Sequence, residues 1–102
     1  MEQKHIQQLA NDFNRRASDL FFLLFSQFGN ASRRINRYNN DNFFQLLQGK
    51  YIRTLKRRLE IIALEIIEKN DFLVSDPAGL NKELANRVDF FIKEFMRRSK
   101  AL

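Results

Sequence analysis

One histidine, no cysteine and three scattered glycines leave this 102-residue chain few ways to do covalent chemistry. His5 falls where a first helical turn frays, and general acid–base work needs a held group whose pKa is tuned by neighbours. A surface or capping role is the expectation for it. Without cysteine there is no disulfide, no thiolate metal site and no thiol nucleophile. Gly29, Gly49 and Gly79 are too far apart to build a phosphate-cradling loop. Glu60, Glu65 and Glu68 share a helix, but a di-metal bundle site sets a histidine three residues after a glutamate, and Glu68 stands in that place after Glu65. The expectation is a protein that is not an enzyme and uses no cofactor and no metal.

Binding chemistry has more to work with. Residues 33–58 carry Arg33, Arg34, Arg37, Lys50, Arg53, Lys56, Arg57 and Arg58 against Asp41 alone, a local charge of +7 in a chain whose net charge is +6. Segregated charge creates a field that can capture an anionic partner. Lys50, Arg53 and Arg57 recur at spacings of three and four, so they share a helical face, opposite Tyr51, Leu55 and Leu59. Arg33, Arg34 and Arg37 precede them, with Tyr38 alongside. Arginine offers phosphate paired hydrogen bonds, and an aromatic ring can stack on an unpaired base. These seven residues (Arg33, Arg34, Arg37, Tyr38, Lys50, Arg53 and Arg57) are the candidate nucleic-acid contacts. The competing expectation is a solvated face, or one paired with the carboxylates of the third helix. No helix-turn-helix, zinc-finger or RNA-binding sheet signature accompanies them.

Three segments with apolar residues at helical spacing must position this face. The first covers about residues 4–28, with Ile6, Leu9, Phe13, Ala17, Leu20, Leu24 and Phe28 in one stripe and Gly29-Asn30 as its stop. Residues 29–41 read as a basic connecting loop. The second segment covers about residues 42–69, with Asn40 or Asp41 as N-cap and the stripe Phe44, Leu47, Tyr51, Leu55, Leu59, Ile62 and Ile66. Gly49 inside it predicts a close backbone approach or a local break. The third covers about residues 77–99, opened by Asp76-Pro77 and striped by Leu80, Leu84, Val88, Phe91 and Phe95. The predicted fold is all-α, a single domain folded as an antiparallel three-helix bundle.

Apolar residues exceed what one face per helix can hold. Phe22 and Phe25 point away from the first stripe, Ile61 and Leu64 lie opposite the second, and Phe90 lies across from the third. Clustered apolar residues usually mark a contact, so a homodimer or a protein partner is expected at Phe22, Phe25, Ile61, Leu64 and Phe90. The longest apolar run, Leu20–Phe25, is far short of the ~20 residues a bilayer span needs. With no cysteine and no leader-like opening, a cytoplasmic location is expected. Two functions follow: a nucleic-acid-binding module, or an adaptor for an acidic protein partner. Attachment to anionic membranes ranks last, because the basic face and the densest apolar cluster belong to different segments.

Overall fold

A computed structural model describes residues 2–34, 41–70 and 76–101, all but a few of them helical. Three helices pack against one another: α1 (Glu2–Arg33), α2 (Asp41–Asn70) and α3 (Pro77–Lys100). Their length sets that of the molecule, 55 × 18 × 17 Å. Arg16 of α1 reaches Glu65 of α2 at 2.7 Å, while Phe28 meets Phe44 and Tyr51, so α2 runs back along α1. Phe13 packs on Phe91 and Phe28 on Phe95, so α3 returns in the direction of α1. The path is up, down, up.

The buried line of α3 follows its predicted stripe, Leu80, Leu84, Val88, Phe91 and Phe95. Its start also follows: Asp76 accepts from the Gly79 amide at 2.9 Å, and Pro77 occupies the first turn, where a missing N–H loses nothing. In α1 the buried line runs through Ala10, Phe13, Ala17, Phe21, Leu24 and Phe28, with Leu20 only half-buried on its shoulder. Both 17–20–24 and 17–21–24 satisfy helical spacing; rings waiting on α3, Phe91 at 6.0 Å and Phe95 at 5.8 Å, select Phe21. In α2, Ala63 joins Leu55, Leu59 and Ile66 in the core, while Ile62 is half-buried.

Two boundaries differ from expectation. Gly29-Asn30 does not stop α1, which continues through Arg33. A glycine stop needs a left-handed residue, and no described residue has positive φ. The inward line instead gains Ser32, four residues after Phe28, buried with its hydroxyl donating to the Gly29 carbonyl at 2.9 Å. Asp41 is the first residue of α2, and Asn40 lies outside the described residues. Gly49 marks neither a break nor a close helix contact: α2 is continuous, and the nearest atom a Cβ would meet is Arg53 Nη1 at 3.4 Å.

Candidate functional site

The up-down-up path brings the C-terminal ends of α1 and α3 to the N-terminal half of α2. Gln48 near the start of α2 donates to the buried Ser99 of α3 at 2.5 Å, and Ser99 donates to the Met96 carbonyl at 2.9 Å. The pairs Arg16–Glu65 and Phe28–Tyr51 set a register in which Leu59 stands level with Phe21, and Phe21 packs on Phe91. Cutting the bundle at that level divides its charge unequally. On the Ser99 side, the described side chains are Arg33, Arg34, Lys50, Arg53, Lys56, Arg57, Arg58, Lys93, Arg97, Arg98 and Lys100, eleven cations against one carboxylate, Glu94. On the other side five cations face eight carboxylates.

Within the basic half the cations differ in availability. Lys50, Arg53 and Arg57 are exposed as expected, and so are Lys56 and Arg58. None of these five has an ion-pair partner among the described residues. The third helix does not supply them with counter-charges. Its six cations outnumber Glu83, Asp89 and Glu94, and the ion pairs that Glu83 and Glu94 make stay within α3. Glu65 is taken by Arg16, whose hydrogen bond lowers the Glu65 pKa. Arg33 and Arg34 are exposed at the end of α1, where cations offset the partial negative charge of the last carbonyls. Arg97 and Arg98 both hydrogen-bond Glu94, Arg98 Nε at 3.0 Å. Those two guanidinium groups, Arg97 first, hold the Glu94 carboxyl down from the ordinary 4.5 to about 2. Arg98 also lies 5.3 Å from the Phe21 ring centroid, a cation over an aromatic face.

Of the seven predicted contacts, Arg33, Arg34, Lys50, Arg53 and Arg57 thus belong to the basic half, and Arg37 and Tyr38 lie outside the described residues. Arg97, Arg98 and Lys100 were missed as part of this region. Their sequence position, after the third stripe, says little until the up-down-up path is applied, which puts them at the same end of the bundle as Lys50 and Arg33. His5 sits toward the opposite end.

The five predicted interface residues do not form one patch. Phe25 is not outward: it is half-buried, stacked on Phe21 at 5.8 Å and edge-on to Phe95 at 5.4 Å. A ring at the shoulder of α1 reaches inward because α3 presents another ring to it. Phe22 and Phe90 line a groove of about 320 Å³ between α1 and α3, together with Asn14, Arg87 and Glu94. Asn14 Oδ1 is buried with no hydrogen-bond partner among the described residues. Leu64 lines a second groove of about 310 Å³ between α2 and α3, and Ile61 is exposed on α2 outside it. Phe43 and Leu46 are equally exposed on the outward side of α2 and were not anticipated.

No group of three or more His, Cys, Asp or Glu side chains among the described residues could hold a metal ion, and no described helix is long and apolar enough to cross a membrane. No protein-family model, curated protein or solved structure matches this chain.

Proposed function

We propose that this protein is a non-catalytic helical module that binds nucleic acid along its phosphate backbone through the basic half of the bundle. The observation that carries the reading is the eleven-to-one excess of cations over carboxylates, among the described side chains, on one side of the Phe21–Leu59 level. Arginines dominate that set, and a guanidinium pairs with phosphate through two parallel hydrogen bonds. Lys50, Arg53, Lys56, Arg57 and Arg58 of α2 have no ion-pair partner among the described residues, so binding a phosphate there breaks none of the ion pairs described. Each phosphate neutralised releases condensed counterions, which adds to affinity at low salt.

Fluorescence anisotropy against single-stranded RNA and duplex DNA at two salt concentrations tests this. Expected is binding whose logarithm falls linearly with log salt, with a slope of about 0.9 per phosphate contacted on duplex DNA. Lys50→Glu with Arg53→Glu should weaken binding alike for every sequence, because phosphate contacts carry no sequence information. Absence of binding to any strand at low salt removes the proposal.

A second reading, an adaptor for an acidic protein partner, is favoured by the exposed Phe22 and Phe90 around the α1–α3 groove. Solvent-facing aromatics add nothing to phosphate binding, and apolar patches commonly mark protein contacts. Under that reading Phe22→Ser abolishes partner binding, whereas the phosphate-binding reading expects it to leave nucleic-acid affinity unchanged.

A further inference from the structure

The outward side of α2 continues past its basic residues as Arg57, Ile61, Leu64 and Glu68, at spacings of four, three and four. At 100° per residue these four fall within an arc of about 60°, on the side opposite Leu55 and Leu59. All four are exposed, and neither Arg57 nor Glu68 has an ion-pair partner among the described residues. The 4-3-4 spacing is the seam of a shallow, left-handed helix pair. Among the described residues no helix covers that seam, and Leu64 alone of the four borders a neighbour, at the rim of the α2–α3 groove.

The order of the four residues makes the stripe self-complementary. Let a second α2 lie antiparallel, with a two-fold axis between Ile61 and Leu64. Ile61 then meets the second copy's Leu64, and Arg57 meets its Glu68; symmetry makes each contact twice. A parallel pairing would set Arg57 against Arg57 and Glu68 against Glu68. Charge favours the same location: among the described side chains the half of the bundle beyond Leu59 has five cations and eight carboxylates, far from the one-sided charge of the other half, so two copies can approach there. The eleven-cation halves would repel, and this pairing points them apart.

We propose that this stripe docks a second copy of the chain in antiparallel α2–α2 contact, Ile61 and Leu64 at its centre and reciprocal Arg57–Glu68 pairs on its flanks. The two basic halves then lie at opposite ends of an elongated dimer. Along the α2 axis, Arg53 and the second copy's Arg53 stand about 28 Å apart at 1.5 Å per residue. Arg57 belongs to the dimer contact, which leaves Lys50 and Arg53, with the exposed Lys56 and Arg58, as the cations of α2 available to phosphate.

Sedimentation velocity over a concentration series, with circular dichroism on every variant, tests the contact. The wild-type chain should dimerise, and Arg57→Glu or Glu68→Arg alone should weaken association by about tenfold or more, since each reversal acts twice. An equimolar mixture of those two variants should recover association, because each chain then supplies the charges the other lacks. Should a reversal unfold the chain, Arg57→Gln and Glu68→Gln remove the same pair without adding charge. A wild-type chain that stays monomeric at millimolar concentration overturns the proposal. So does a dimer insensitive to both reversals, which would move the contact elsewhere, or a mixture of the two that fails to associate.

Discussion

The two halves of this bundle differ inside as well as outside. Beneath the eleven cations the core is aromatic: Phe21, Phe25, Phe28 and Phe95 lie within 5.4–6.5 Å of one another in successive ring pairs, and Phe28 extends the set to Phe44 and Tyr51. Beyond Leu59 the described core is aliphatic and small, with Ala10, Ala17, Ala63, Ile66, Leu80, Leu84 and Val88 around Phe13, the one ring among those described residues. Rings bury the most area per residue and bring no polar atom that needs a partner. Clustered like charge destabilises the compact state through self-repulsion. The half with the greater repulsion is therefore the half with the greater burial per side chain, whereas the less one-sided charge of the other half accompanies alanine. Charge and core change at one level, so the cations stand on a firmly packed platform.

The comparison breaks most severely at the level where the halves meet. Leu59 is fully buried there, and Leu59→Glu places an unpaired charge in the core. Its cost of several kcal/mol is comparable with the ~5–15 kcal/mol that holds a domain together, so circular dichroism should report loss of the folded state. Leu64→Glu, one and a half turns on but facing out, should keep its helicity. Equal effects of the two would contradict the buried line of α2.

Protonating Glu94 sharpens the difference between the halves at intermediate cost. Its carboxyl is depressed in the folded state from 4.5 to about 2, so the stability it contributes is present above about 4.5 and lost as pH falls toward 2. Carboxyl chemical shifts should place its midpoint well below the ordinary 4.5. Glu94→Gln should flatten that part of the acid transition. It should also free Arg97 and Arg98 and raise nucleic-acid affinity; an unchanged acid transition would contradict the bridging role.

The smallest effects come from one substitution made in each half. Gly49→Ala in the basic half should stabilise by about 0.5–1 kcal/mol, because helix propensity improves and the added methyl meets only the mobile end of Arg53. Gly79→Ala in the other half should destabilise by about 0.5–2 kcal/mol despite the same propensity gain. There the methyl would collide with Asp76 Oδ2 and push out the carboxylate that caps α3. Thermal melts showing the same sign at both sites would break this contrast.

The chain's own periodicity was enough to define three helices, the apolar buried line of α3 and its Asp76-Pro77 start, because these depend on spacing and on local backbone chemistry. Local charge was likewise enough to mark Lys50, Arg53 and Arg57 as one exposed face. Packing decided what spacing leaves open. Leu20 and Phe21 fit the α1 stripe equally until rings on α3 choose between them, and Phe25 turns inward for the same reason. Gly29-Asn30 resembles a stop in sequence, yet α1 runs on, because Ser32 continues its inward line. Above all, residues far apart in the chain become one surface only through topology. Arg33, Lys50 and Lys100 share an end of the bundle because α2 reverses and α3 returns, and electrostatic fields sum over distance in space rather than along the sequence.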